Sequence, residues 1–191
     1  MKVGLFFGSF NPIHHGHLII ASHILNNYEL EQIWFVVSPQ NPLKHSAGLL
    51  NEYDRLHLVK LAIEGEQKMR ASDIEFRLPK PSYTIDTLTY MSEKYPEHSF
   101  AIIMGGDSFQ NLPRWKNYEQ LIRHYSIYVY ERPGQEAVQY PGAKAIIHCK
   151  APLLEISATH IRNTLRSGHS IRYLVPDAVW QEIDRAGYYR H

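Results

Sequence analysis

Near the amino end, His14-His15-Gly16-His17 sets two imidazoles three residues apart around a glycine, just after the turn Gly8-Ser9-Phe10-Asn11-Pro12-Ile13. If a helix opens here, His14 and His17 share one face close to its first turn, where free backbone N–H groups already favour anions. Gly16 leaves room for a bulky group against the backbone between them. Two imidazoles so placed can donate hydrogen bonds to a chain of phosphate oxygens. The turn is neither a Gly-x-x-x-x-Gly-Lys-Ser/Thr loop nor a Gly-x-Gly-x-x-Gly fingerprint. The plain alternative is a pair of surface histidines in a chain that carries 12 of them. A zinc site is a further alternative, without the His-Glu-x-x-His spacing that would recommend it.

A second grouping, Ile156-Ser157-Ala158-Thr159-His160-Ile161-Arg162, stands near the carboxyl end. Ser157 is a natural N-cap, Thr159 falls in the first turn after it, and Arg162 one turn later. Two hydroxyls and a guanidinium at a helix start also suit an anion. Alone, this is equally a plain capped helix with a solvent-facing arginine. Together, two phosphate-binding helix starts facing one crevice suit a nucleoside triphosphate.

The elements that must position these groups alternate along the chain. Apolar runs at 3–7, 33–37, 100–104 and 126–130 read as strands, with late strands at 145–147 and 153–156 and one short strand within 69–78. Helical spacing covers 15–27, 52–64, 84–95, 118–124, 158–166 and 176–186. Short strands alternating with helices predict an α/β fold, a Rossmann-like doubly wound parallel sheet with helices on both faces. Ligands of such sheets sit at the carboxyl ends of strands. That points to the turns after Phe7, Val37, Met104 and Ile156. A chain of 191 residues fits one domain, with a C-terminal helical part from about 157 to 191 packed on it.

Composition narrows the function. The formal charge of +1 argues against nucleic acid as a partner, and no apolar run approaches a bilayer span. The apolar start is too short for a signal peptide, so a cytoplasmic location is expected. The one cysteine, Cys149, makes an internal disulfide and a cysteine zinc site impossible.

The two motifs, in this order, resemble the signatures of the His-x-Gly-His nucleotidyltransferase superfamily, and the resemblance runs from Lys2 to about Tyr188. Within it, the chain resembles the bacterial nicotinate mononucleotide adenylyltransferases in three further segments. Ser82-Tyr83-Thr84-Ile85-Asp86-Thr87-Leu88 matches the segment whose Thr84 and nearby backbone recognise the nicotinate carboxylate. Gly105-Gly106-Asp107, followed by Arg114 and Trp115, matches the segment in which Gly105 and Asp107 line the nucleotide site and Trp115 stacks on the pyridine ring. Asn41-Pro42-Leu43-Lys44 keeps the lysine for the mononucleotide phosphate but departs from the family's Pro-Pro-His-Lys at Asn41 and Leu43. Arg132 in Arg132-Pro133-Gly134 is a further candidate for either substrate. Lys68-Met69-Arg70-Ala71-Ser72 is similar to the Lys-Met-Ser-Lys-Ser loop of class I tRNA synthetases, but it lacks the second lysine and lies far upstream of 156–162, so it is set aside.

The resemblance implies transfer of the adenylyl group of ATP to nicotinate mononucleotide, giving nicotinate adenine dinucleotide and pyrophosphate, with Mg²⁺ accompanying ATP. The implied ATP site comprises Gly8, Ser9, Phe10, His17, Gly105, Asp107, Ser157, Thr159 and Arg162. The implied mononucleotide site comprises Asn11, Lys44, Tyr83, Thr84, Trp115 and Arg132. His14, His17 and Arg162 form the catalytic set. The amidated mononucleotide, phosphopantetheine and a non-catalytic nucleotide-binding domain are the alternative readings. Assembly into a homo-oligomer is left open.

Overall fold

A computed structural model describes residues 1–40, 48–131, 138–152 and 154–190. Six strands form one sheet: β1 (Lys2–Gly8), β2 (Gln32–Val37), β3 (Met69–Ser72), β4 (Ser99–Gly105), β5 (Ser126–Tyr130) and β6 (Ala145–Cys149). Their order is β3-β2-β1-β4-β5-β6, and all five pairings are parallel. This is the doubly wound order expected of a Rossmann-like sheet.

The helices are α1 (His15–Asn27), α2 (Glu52–Ala62), α3 (Thr84–Lys94), α4 (Gly106–Gln110), α5 (Tyr118–His124), α6 (Ala158–Arg166) and α7 (Asp177–Ala186), with 3-10 turns at Ile74–Arg77 and Leu112–Arg114. The central strands are apolar on both faces because both faces are covered. Ile33, Phe35 and Val37 join one core with Ile20 and Ile24 of α1, Val59 of α2, Ile161 and Leu165 of α6, and Val179 and Ile183 of α7. The alternate residues Trp34 and Val36 join the opposite core with Leu88 and Met91 of α3, Phe109 of α4 and Leu121 of α5. Each buried aliphatic side chain contributes roughly 1.5–3 kcal/mol relative to exposure.

Two local outcomes differ from the sequence reading. Residues 154–156 are not a strand, and Leu154 is half exposed. The sheet ends at β6, and among the described residues Leu154-Glu155-Ile156 pairs with no strand and leads into α6. The segment 106–114, not assigned to an element from sequence, forms α4 and the 3-10 turn before Trp115. Among the described residues no helix is long and apolar enough to cross a membrane.

β1 is flanked by β2 on one side and β4 on the other, so the chain leaves β1 and β4 toward opposite faces. The register sets Gly8 beside Val37 and Gly105 beside Tyr130, which aligns four carboxyl ends along one edge. The crevice between the diverging connections is where ligands bind in sheets of this kind.

Candidate functional site

The turn leaving β1 is shaped by contacts that permit few substitutions. A Cβ on Gly8 would stand 2.8 Å from the Phe10 ring. Phe10 itself adopts a left-handed backbone (φ 45°) and is buried, edge-on to Phe6, Phe35 and His17. The Phe10 ring is thus committed to the core, with its centroid 5.1 Å from that of His17, which leaves only its backbone for the ATP contact expected of it.

His14 is the N-cap of α1, and its Nδ1 accepts the Gly16 N–H at 3.1 Å. His17 returns the contact, its Nδ1 accepting the His14 N–H at 3.3 Å. The two rings stack at 3.8 Å. This is a capping box built from two imidazoles, and it satisfies backbone donors that the first turn would otherwise leave open. A ring nitrogen that accepts an N–H carries no proton of its own, so both rings hold theirs on Nε2. Gly16 serves this arrangement rather than leaving open space: a Cβ there would meet the His14 ring at 2.9 Å.

Burial, with help from the neighbouring His15, lowers the His14 pKa to about 4 from an ordinary 6.5. The ring is thus neutral at physiological pH. Because its folded value lies below its unfolded value, neutral His14 contributes stability above about pH 6.5 that is lost as pH falls toward 4. The full span is on the order of 3 kcal/mol. An NMR titration is expected to find His14 uncharged down to about pH 5, and His14→Gln to flatten the decline of the urea midpoint between pH 6.5 and 4. A midpoint near 6.5 for His14 would contradict this picture.

The second motif comes to the same place. Ser157 caps α6 through the His160 N–H at 3.1 Å. Arg162 reaches out of α6 to donate to the Asn11 carbonyl at 2.8 Å and to the Thr159 hydroxyl at 3.2 Å. The carbonyl of Ile156 lies 3.9 Å from where a Gly16 Cβ would stand, so the approach to α6 abuts the start of α1. Arg166 packs on Gly48, whose φ of 77° and missing Cβ admit its guanidinium. Among the described residues neither Arg162 nor Arg166 forms an ion pair. Two guanidiniums without an ion pair among the described residues, beside neutral His14 and the ring stacked on it, are groups of the kind that suit an extended anion.

The expected mononucleotide side lies across the sheet edge. The side chain of Asn11 is committed to the fold, donating to the Gly48 carbonyl at 2.9 Å and accepting the Leu50 N–H at 3.1 Å. Thr84 is the first residue of α3, not its cap; Tyr83 holds the cap position, and no side chain caps this helix. The anion-binding character of that N-terminus therefore remains available. Lys116 ties this turn to the segment after β4, pairing with Asp86 at 2.8 Å and lying 4.9 Å over the Tyr83 ring. A cleft of about 310 Å³ opens here, lined by Pro79, Lys80, Tyr83, Asp86 and Lys116. Trp115 is half-buried, packed against the core on the α3–α5 face of the sheet. Gly105 ends β4, where a Cβ would crowd the Tyr130 ring at 3.1 Å, and Asp107 is exposed in the first turn of α4. Ser9 is half-buried in the turn itself. Lys44, with Asn41 and Leu43, and Arg132 lie outside the described residues.

Sequence reasoning missed the residues that hold these turns. Arg55 is fully buried and donates to four carbonyls: Leu50 at 2.7 Å, Ser9 at 2.6 Å, Ser38 at 2.8 Å and Pro39 at 3.0 Å. It thereby fixes the turns after β1 and β2 to the start of α2. The signal was its place on the apolar stripe of α2, three and four residues before Leu58 and Val59. Glu75, also buried, accepts from the Ser82 hydroxyl at 2.9 Å and the Thr87 hydroxyl at 2.8 Å, clamping the turn before α3. Burial raises its pKa, and the hydroxyl donors oppose the rise. The thiol of Cys149 is buried too, and desolvation pushes it up to about 11, which excludes it as a ready nucleophile.

Comparison with known proteins bears on the same chain length. The family model described as cytidylyltransferase-like matches residues 5–164. A protein of Cytophaga hutchinsonii named "Probable nicotinate-nucleotide adenylyltransferase" is 54% identical, covering 99% of this chain and 98% of its own. A protein of the same name from Flavobacterium psychrophilum is 47% identical over the whole of both chains. The solved Plasmodium falciparum nicotinic acid mononucleotide adenylyltransferase complexed with NaAD superposes with a TM-score of 0.80 at 21% identity, covering 98% of this chain and 97% of that one, which speaks to the fold.

Proposed function

This chain belongs to the cytidylyltransferase-like family and, within it, to the nicotinate-nucleotide adenylyltransferases, and from that premise we propose how its residues carry the reaction. The enzyme joins nicotinate mononucleotide to the adenylyl group of ATP in NAD biosynthesis. An oxygen of the mononucleotide phosphate attacks the α-phosphorus; that P–O bond forms as the bond to the β-phosphate oxygen breaks, and pyrophosphate leaves. The attacking phosphate is already ionised near pH 7, so no general base is required, and the work is positioning and charge stabilisation.

The Nε2–H groups of His14 and His17 donate to the oxygens at and beside the α-phosphate. Arg162, Thr159 and Ser157 hold the β- and γ-phosphates as charge moves onto the leaving group. Gly8, Ser9, Gly105 and Asp107 line the nucleotide's path along the sheet edge. Thr84 and the uncapped start of α3 take the nicotinate carboxylate, and Trp115 offers the ring face for the pyridine. Lys44 takes the attacking phosphate. Mg²⁺ bound with ATP would supply charge neutralisation on the triphosphate. Among the described residues no three His, Cys, Asp or Glu side chains group as a metal site, so such an ion would be held mainly by phosphate oxygens and water, with Asp107 the acidic side chain we assign nearest the nucleotide. A cytoplasmic location fits these substrates.

The observation that carries the reading is the Arg162–Asn11 bond, which draws the α6 start onto the His14–His17 turn. The test is pyrophosphate release from ATP with nicotinate mononucleotide, its amide or phosphopantetheine as acceptor. The acid is expected to give the highest kcat/KM, because an uncapped helix start prefers a carboxylate over an amide. Equal rates with acid and amide would remove the role given to α3, and release only with phosphopantetheine would reassign the substrate.

A further inference from the structure

Asp86 is the third residue of α3, the position from which an acidic side chain folds back onto the backbone N–H of the N-cap residue. The start of α1 is closed in that way, with His17 at its third position accepting the His14 N–H. At α3 the fold-back is not made. Tyr83 holds the cap position, no side chain caps the helix, and Asp86 accepts instead from the Lys116 ammonium at 2.8 Å. That ammonium also lies 4.9 Å over the ring of Tyr83, the cap residue itself.

The side chains of this ion pair are 44% and 50% exposed, and a pair so open to water adds little to stability. What it changes is the cleft that Lys116, Asp86 and Tyr83 line together. A released Asp86 carboxylate would compete for the N–H groups at the start of α3. It would also repel a second carboxylate brought there, whereas an uncharged amide would escape that repulsion. Lys116 offsets the charge of Asp86 and holds its oxygens off the helix start.

We propose that Lys116 is a specificity-determining residue of the mononucleotide site: by holding Asp86 it keeps the start of α3 free for the carboxylate of nicotinate mononucleotide, and so sets the preference for the acid over the amide. The inference rests on the reading of α3 as the place of that carboxylate. Lys116 acts through Asp86 and is a positioning residue.

Two variants test this. Lys116→Met removes the ammonium and keeps most of the stem, and the double variant Lys116→Met/Asp86→Ala also removes the carboxylate that Lys116 restrains. The measurements are kcat and KM for the acid and for the amide at saturating ATP, and the KM for ATP. Lys116→Met is expected to raise the KM for the acid by about five- to tenfold while leaving those for the amide and ATP within about twofold of wild type. The double variant is expected to bring the KM for the acid back to within about twofold of wild type. A merely structural role would move both acceptors alike and would not be rescued by a second truncation. An unchanged KM for the acid in Lys116→Met would overturn the proposal. So would an equal loss with both acceptors, or a double variant as impaired as the single one. A wild-type enzyme that does not distinguish acid from amide would instead defeat the reading of α3, and this proposal with it.

Discussion

His17→Ala is expected to lower kcat by about 10²-fold or more, the scale on which a single preorganised donor to a transition-state oxyanion acts. The geometry also makes His17 a structural residue, because its Nδ1 accepts the His14 N–H. Loss of that cap alone costs about 1 kcal/mol. The two roles separate in His17→Asn, whose amide oxygen stands near the place of Nδ1 and restores the cap while nothing replaces the distal Nε2–H. The asparagine variant is therefore expected to recover the urea midpoint and not the turnover. Single-turnover measurements with saturating ATP give the chemical step directly. A His17→Asn enzyme within threefold of wild-type kcat would show that the imidazole serves the cap and nothing else.

Arg55→Met is expected to destabilise the protein by about 3–5 kcal/mol, a large part of the roughly 5–15 kcal/mol typical of a domain. Methionine keeps much of the aliphatic volume but leaves the carbonyls of Ser9, Ser38, Pro39 and Leu50 without their donor. Each hydrogen bond from a charged donor contributes about 1.5–3 kcal/mol, offset in part by the desolvation of the guanidinium. Lysine is not a conservative replacement, since one ammonium cannot span acceptors that a planar fork reaches from three nitrogens. Arg55→Lys is expected to fall between wild type and methionine. Catalysis should fall with stability, because Ser9 belongs to the turn that leads to His14. Urea melts of the three proteins check this, and a methionine variant within about 1 kcal/mol of wild type would rule out the clamp.

The fold was readable wherever an element's own residues determine it. Ile33–Val37 and Phe100–Met104 are apolar on both faces because a covered parallel strand has no wet side, and the sequence carries that signature directly. The segment 153–156 carries a similar apolar signature, but being a strand requires a neighbour to pair with, and a sequence does not state where a sheet ends. The site divides along the same line. His14, His17, Ser157 and Arg162 lie within short motifs whose spacing alone implies a helix start with donors. Arg55 shows in its own segment only a place on the apolar stripe of α2, not the carbonyls it reaches, and Glu75 is buried by distant segments that no local pattern reports. The fork of Arg55 spans residues 9 to 50, and the clamp of Glu75 needs hydroxyls from Ser82 and Thr87.

The covered state of Cys149 has a practical outcome at the bench and in the cell. With its thiol shielded and held well above neutral pH, the wild-type chain offers maleimides, iodoacetamides and peroxide almost no thiolate to attack. A cysteine engineered at an exposed position such as Tyr173 would then take a fluorophore or spin label selectively, without first deleting the native one. The same shielding spares the protein the sulfenic-acid chemistry by which many enzymes lose activity under oxidative stress.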